Sequence, residues 1–358
     1  MKIHEKYIKR CIQLAENGFG RTYPNPMVGS VVVHNNKIIG EGWHQKAGQA
    51  HAEVNAINAV ENQNLLKDAT IYVSLEPCSH FGKTPPCSDL IIAKNIKKVV
   101  IGTVDPFSEV SGRGIKKLLE AGCEVLVGIL EKECQNLNKR FFTFHIKKRP
   151  YIILKWAQSE DGFIAPVLRK PEDRKPVWIT NKYSSQLVHK WRSEEQAIMV
   201  GTNTAVADDP KLNTRTWTGK DPVRMVIDQN LRIPEDSALF DKSIKTIVIC
   251  GENNLQEKNK MQHENLIFKT ADFSLKLAPQ VCKILHEQDL NSVIIEGGSQ
   301  TLQTFIDENL WDEARVFTGA VQFEKGVKAP QFSGIITSEE MIASDTLKIY
   351  RNDKDHRI

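Results

Sequence analysis

What this 358-residue chain lacks narrows the choices first. No apolar run approaches the roughly 18 residues that a membrane span needs. The opening residues, Met1 to Tyr7, carry no signal-peptide core. Both absences point to a cytoplasmic protein. No large excess of one charge is present either. A formal net charge of +4 suits an anionic small substrate and falls short of the basic stripe of a nucleic-acid binder. A disulfide framework is also missing. The seven cysteines are an odd number, and Cys11, Cys123, Cys134, Cys250 and Cys282 are scattered, as buried thiols in a reducing compartment would be. No internal repeat relates the two halves. No G-x-G-x-x-G follows a strand, so a Rossmann fingerprint is excluded.

Length alone suggests two domains. Residues 1–145 alternate between helical and strand patterns. Tyr7 to Asn17 has helical spacing, and 29–33 with 37–42 reads as a hairpin turning at Asn35-Asn36. A helix over 52–60, a strand over 70–75, a helix starting near Ser88 and strands at 99–102 and 123–127 follow, the last two joined by a helix over 114–120. The pattern is interrupted between Phe144 and Pro150. Strands then recur at 151–155, 197–200, 223–227, 245–249 and 293–295 with helical stretches between them, which makes 150–350 a second α/β domain. Pro166 to Pro176 reads as an exposed loop, and the tail from Asn352 as frayed.

His51-Ala52-Glu53 followed by Cys78 and Cys87 carries the sharpest chemistry. One imidazole and two thiolates are the ligand set of an open zinc site, and a fourth position left to water makes such a site catalytic. Zinc lowers the pKa of bound water to about 7. Glu53, two residues after the imidazole, is placed as general acid/base and not as a ligand. H-x-E with P-C and a second cysteine is the signature of zinc nucleobase deaminases. That pattern has two residues between the cysteines, whereas eight stand between Cys78 and Cys87. A structural zinc site remains the alternative, with His44 or His80 as fourth ligand.

Tyr23-Pro24-Asn25-Pro26-Met27-Val28-Gly29, Gly42-Trp43-His44, His51-Ala52-Glu53 and the Cys78–Cys87 segment with its Gly82-Lys83-Thr84-Pro85-Pro86-Cys87 run together resemble the bacterial bifunctional riboflavin-biosynthesis deaminase/reductase family. That resemblance implies a cytidine-deaminase-like three-layer α/β domain followed by a dihydrofolate-reductase-like α/β domain. It implies a small phosphorylated diamino-ribosylamino-pyrimidinone substrate, hydrolysed by zinc-activated water at C2. Asn25 would then bind the pyrimidine, and His44 and Lys83 the ribose phosphate.

In the second half, Ile295-Glu296-Gly297-Gly298 ends a strand and exposes backbone N–H groups at a helix start, which suits phosphate. Leu154-Lys155-Trp156-Ala157, Trp178-Ile179-Thr180, Val200 to Thr204 and Ala207 to Leu212 are similar to the family's reductase domain. The resemblance implies NADPH, held by Ala157, Trp178, Thr204, Asp208 and the turn Gly298, Ser299, Gln300, Thr301, Leu302, Gln303 and Thr304. It implies substrate contacts from Leu212, Arg215 and Glu296, with Arg215 suited to phosphate by its permanent, fork-shaped charge. Lys155 and Asp208 are alternatives for handling the proton at the sugar. Two positions depart from the family pattern: Pro176 stands where a serine is usual, and Glu160 where leucine is. Competing readings are a zinc deaminase of another nucleotide or a tRNA base with a non-reductase second domain, and a non-enzymatic zinc protein. Homo-oligomers are common in such folds.

Overall fold

The computed structural model describes residues 2–79, 85–107, 111–167, 177–254 and 261–354, and divides into two compact units, Met1–Lys148 and Arg149–Ile358. The first unit is built on five strands: β1 (Gly29–His34), β2 (Lys37–Trp43), β3 (Thr70–Leu75), β4 (Lys98–Thr103) and β5 (Glu124–Val127). They stand in the order β2-β1-β3-β4-β5. β1 runs antiparallel to β2 and β3, whereas β3, β4 and β5 are mutually parallel.

Alternation along these strands makes three layers. Val32, Ile71, Val73, Val99 and Ile101 face one side with Ala56, Ile57, Ile91 and Leu118 from the helices Ala52–Asn58, Cys87–Ala93 and Arg113–Glu120. Val31, Val33, Tyr72 and Val100 face the other, against Tyr7, Ile8, Cys11 and Leu14 of the helix Lys2–Glu16. A sheet covered on both faces needs near-continuous apolar strands, which accounts for the unbroken burial of β3 after Thr70.

The second unit carries β6 (Tyr151–Gln158), β7 (Phe163–Pro166), β8 (Ala197–Gly201), β9 (Val223–Ile227), β10 (Thr246–Cys250), β11 (Leu266–Thr270), β12 (Ser292–Gly297), β13 (Glu313–Thr318), β14 (Gly326–Lys328), β15 (Ile335–Ile342) and β16 (Asp345–Arg351). Nine form one sheet, β11-β10-β9-β8-β12-β6-β13-β16-β15, and β7 pairs with β14. The seven strands from β11 to β13 are parallel, so their carboxyl ends share one edge. β15 and β16 close the sheet as an antiparallel hairpin. One face packs on the helices Leu277–Glu287 and Ser299–Asp307, the other partly on Lys182–Glu194.

Three details depart from the sequence reading. The helix Lys139–Lys147 runs through the expected interruption at 144. The second cysteine opens its helix instead of preceding it, since that helix starts at Cys87. Asn352 is 3% exposed and not frayed, because its side-chain amide donates to Asn309 Oδ1 at 2.9 Å and to the Trp311 carbonyl at 2.8 Å. Most of the expected 166–176 loop lies outside the described residues.

Candidate active site

In the first unit, the chain is extended at His51 and turns into the helix Ala52–Asn58, which puts Glu53 in its first turn. β3 delivers Glu76, Pro77 and Cys78 at its carboxyl end. Glu76 is buried, and its carboxylate accepts backbone N–H groups from Asp105, Gly112, Gly114 and Ile115 at 2.9 to 3.3 Å. This locks the neighbouring loop against the strand end. The Cys87 N–H donates to Cys78 Sγ at 3.3 Å, and the Ser88 N–H and hydroxyl donate to the Cys78 carbonyl at 3.1 and 3.0 Å. The helix start is thereby fastened around the first cysteine.

His51 Nδ1 lies 3.5 Å from Cys78 Sγ and 3.3 Å from Cys87 Sγ, and the three ligand atoms are all within 4.8 Å of one another. Tetrahedral zinc with bonds of about 2.3 Å to sulfur and 2.0 Å to nitrogen needs a sulfur–nitrogen separation of about 3.5 Å. The residues fit that ion closely. Hydrogen bonding from Cys87, then His51, pulls the Cys78 thiol down to about 4 despite its burial. Sharing that hydrogen bond, together with burial, pushes Cys87 up. Metal ligation needs both sulfurs as thiolates, so binding the ion releases protons from this pair. Burial, reinforced by the charge of Cys78, pushes Glu53 up to about 7. Among the described residues no fourth ligand joins the cluster, and His80 lies outside them.

His44 is not among the cluster's ligand residues, although its ring meets that of His51 edge-on at 5.4 Å. Its Nδ1–H donates to the Ala50 carbonyl at 3.1 Å, which leaves Nε2 to accept from the Asn25 amide at 3.2 Å. Asn25 itself sits on a braced segment. Asn138, 3% exposed, accepts the Met27 N–H and donates to the Met27 carbonyl, both at 2.8 Å.

In the second unit, a cavity of about 1400 Å³ opens along the carboxyl edge of the parallel strands. That exceeds the roughly 300–1,000 Å³ of a pocket for one small ligand, so a cofactor and a substrate fit together. Gly297 has φ +130°, a conformation that requires glycine, and leads through Gly298 into the helix Ser299–Asp307. A Cβ at Gly201 would sit 2.4 Å from Thr301 Oγ1. Glycine there lets the end of β8 close on the helix start. Between Ile295 and Gly297 the pairing with β8 shifts by one residue, and such a bulge re-aims the side chain it carries. Here that side chain is Glu296. Arg192 grips it through Nε at 3.1 Å and a terminal nitrogen at 2.7 Å, and Lys155 Nζ stands 4.0 Å away. Burial alone would raise the Glu296 pKa, but the charges of Arg192 and Lys155 prevail and hold it at about 2.

The comparisons with known proteins agree with both sites. Residues 1–103 match the cytidine and deoxycytidylate deaminase zinc-binding region, and 150–323 match the RibD C-terminal domain. The riboflavin biosynthesis protein RibD of Aquifex aeolicus is 39% identical over 99% of this chain and 97% of its own. The chain belongs to the RibD family. The RibD of Actinobacillus pleuropneumoniae is 42% identical over 82% of this chain and 77% of its own. The solved Thermotoga maritima diaminohydroxyphosphoribosylaminopyrimidine deaminase/5-amino-6-(5-phosphoribosylamino)uracil reductase covers 98% of this chain at 35% identity, with 99% of its own chain matched and a TM-score of 0.85. A RibD structure from Acinetobacter baumannii matches at TM-score 0.87 and 30% identity, covering 98% of this chain and 99% of that one. The first unit is therefore a zinc-binding deaminase domain, and the second an NADPH-using reductase domain of the RibD family.

Lys155, Ala157, Trp178, Thr204, Asp208, Glu296 and Gly298 to Thr304 all line the cavity. Leu212 and Arg215 do not. Leu212 is 2% exposed and packs with Ile198, Val226 and Leu239. Arg215 is exposed, and its N–H donates to His189 Nδ1 at 3.2 Å. Lys83 and Pro176 lie outside the described residues. Sequence reasoning passed over Arg192, Asn138, Asn203 and Arg232. The first two lie more than a hundred residues from the groups they hold, so no local pattern marks them.

Proposed function

We propose that this chain carries out two successive steps of riboflavin biosynthesis, hydrolytic deamination in the first unit and reduction in the second. The substrate is a pyrimidinone with two amino groups and a phosphorylated ribosylamino arm. The reading rests above all on the His51–Cys78–Cys87 triangle beside the buried carboxyl of Glu53. His51, Cys78 and Cys87 would hold zinc, which supplies Lewis acidity and a water acidified to a pKa of about 7.

This chain's own residues account for the rest of the deamination. Water adds to the amino-bearing carbon C2, and the C–N bond to ammonia breaks. Glu53 takes a proton from that water, passes it to the ring nitrogen and delivers the next to the departing amine, the work of a general base and acid. Asn25, oriented by His44, binds the pyrimidine. The His44 ring is buried and both its nitrogens are engaged, which favours an orienting role over a phosphate contact.

For the second step, Ala157, Trp178, Thr204 and the Gly298–Thr304 turn would hold NADPH, which supplies hydride to C1′ of the opened sugar. Glu296 accepts from the sugar hydroxyls. Lys155 is the better placed proton donor, because it is fixed beside Glu296 and burial lowers its pKa. Asp208 is exposed at the rim. A small molecule, and not a nucleic acid, is the substrate, in keeping with the net charge of +4. All seven cysteines are free thiols, which supports a reducing, cytoplasmic setting. Exposed Ile335, Ile336 and Met341 on the edge strand β15 favour self-association.

The test is to give zinc-loaded protein the diamino pyrimidine with NADPH and to follow ammonia and NADPH in one tube. Ammonia release preceding NADPH loss is expected. Ammonia without NADPH loss removes the second step, and neither signal in folded, zinc-bound protein refutes the whole reading.

A further inference from the structure

We infer that Asn55 is a positioning residue for the deamination, acting through His44 on the amide of Asn25; the inference rests on the reading above that Asn25 binds the pyrimidine. Asn55 lies in the helix Ala52–Asn58, one turn after His51. Its side-chain nitrogen donates to the Trp43 carbonyl at 2.8 Å and to the Ala50 carbonyl at 3.4 Å. The Trp43 carbonyl belongs to the peptide that leads into His44. The N–H of that same peptide donates to the Val28 carbonyl at 2.9 Å. Both polar groups of the 43–44 peptide are therefore held, one from the helix and one from the residue before β1. The Ala50 carbonyl, the second acceptor of the Asn55 amide, also takes the His44 Nδ1–H at 3.1 Å. The backbone and the ring of His44 are thus both fixed by carbonyls that Asn55 holds.

Hydrogen-bond direction carries the effect on to Asn25. A carbonyl oxygen can only accept, so the His44 proton sits on Nδ1. An amide nitrogen can only donate, so Asn25 Nδ2, 3.2 Å away, gives an N–H to Nε2. The Asn25 amide is then turned one way, with its nitrogen toward His44 and Oδ1 away from it. A flipped amide would set two acceptors, Oδ1 and Nε2, against each other. Oδ1 is left to accept an N–H from the pyrimidine. The Asn25 main chain is held separately. Its N–H donates to the Thr22 carbonyl at 2.9 Å, and Asn138 grips Met27 two residues on. What His44 adds is the orientation of the side chain. Losing the Asn55 amide frees the Trp43 carbonyl and lets the 43–44 peptide shift, and that shift reaches the substrate as a misplaced Oδ1.

The test compares wild type with Asn55→Ala, Asn55→Gln and Asn25→Ala, and with each Asn55 variant combined with Asn25→Ala, all as full, zinc-loaded chains. Ammonia release gives KM and kcat for the diamino pyrimidine. NADPH oxidation with separately deaminated pyrimidine reports the second unit. For Asn55→Ala, KM should rise by about threefold to tenfold, as expected for one displaced hydrogen bond. A preserved kcat would mark that loss as one of binding, and zinc content and NADPH oxidation should hold. In the Asn25→Ala background the same substitution should change KM by less than about twofold, because the group it positions is already gone. Asn55→Gln, whose longer arm misplaces the donor without leaving a gap, should show the same coupling at smaller amplitude. Nitrogen NMR of the His44 ring should find the proton on Nδ1. Equal KM losses in both backgrounds, or zinc lost from Asn55→Ala, would make Asn55 a support of the fold or of the His51 helix start and overturn the proposal. An unchanged KM, or a His44 proton on Nε2, would overturn it as well. Wild type that holds zinc but releases no ammonia from the diamino pyrimidine would remove the deaminase reading itself, and the proposal with it.

Discussion

Replacing Glu296 by Gln tests the centre of the second unit, because three charges meet there with little water. The side chains of Lys155, Arg192 and Glu296 are 14%, 11% and 9% exposed. Glutamine keeps the shape but removes the one carboxylate that, among the described residues, pairs with both cations, and it turns an amide N–H toward a guanidinium whose N–H groups the carboxylate had accepted. Breaking a buried pair in this way costs about 3–5 kcal/mol. Part of that is recovered when Lys155 sheds its proton, since burial already lowers its pKa, so the lower figure is expected. For a unit of this size, about 3 kcal/mol corresponds to a Tm lower by roughly 6–12 °C. Scanning calorimetry of the full chain would measure it. Ammonia release should persist, while NADPH oxidation with separately deaminated pyrimidine should be lost. Adding Arg192→Met removes the stranded cation, so the double variant should regain stability without regaining reduction. An unchanged Tm together with normal NADPH oxidation would refute the reasoning, because the trio would then be neither a structural nor a chemical unit.

Glu53→Ala should lower ammonia release by about 10²–10⁴-fold, the usual worth of a general acid/base, while zinc analysis still finds one metal per chain; loss of the metal would make Glu53 part of the zinc support. Asn138→Ala strands the Met27 N–H and carbonyl, and should destabilise the first unit by about 2–4 kcal/mol, read from urea unfolding; a shift below 1 kcal/mol would show that water replaces the amide at no cost. His189 gives a pH signature. Burial, then Arg192 and Arg215, hold its pKa at about 4, below the unfolded value of about 6.5. The folded state therefore disfavours the proton, so stability is intact above pH 6.5 and declines as pH falls toward 4, by about 2–3 kcal/mol between pH 7 and 4.5. His189→Gln should flatten that decline, and superimposable profiles would contradict the assignment.

The deaminase site was legible because its chemistry sits in short segments whose residue types are rarely assembled otherwise. His51 and Glu53 share one helix start, and the cysteines bracket one loop. The Gly297-Gly298 turn was legible too, since an apolar strand followed by two glycines constrains the backbone locally. The framework around these sites is different in kind. β12 enters the sheet between β8 and β6, an order that no periodicity encodes. Arg224 lies at an alternating position in β9 and reads as solvent-facing. Yet it is 1% exposed, with one terminal nitrogen donating to the Ala238 carbonyl and to Asp241, both at 2.9 Å. β15 and β16 went unread because exposed and half-exposed strands with mixed polar faces look like loops, and β13 because its buried Glu313 and Arg315 break the apolar run that marks a central strand.

Glu296 shows why the reductase site in particular needed the structure. In the sequence it is one acidic residue between an apolar strand and a glycine pair, and strand alternation assigns it a face by parity with Ile294. The register shift after Ile295 breaks that parity. Glu296 turns toward a helix that the chain completed more than a hundred residues earlier, and there it meets Arg192. A charged residue in an amphipathic helix is normally read as part of its solvated face, so neither partner signals the other. Their chemistry comes from the burial they share, which exists only once the parallel sheet has closed. The residues that hold the site in place are therefore the ones a local reading loses first, whereas the His51–Cys78–Cys87 cluster and the glycine turn of the cavity wall survive it.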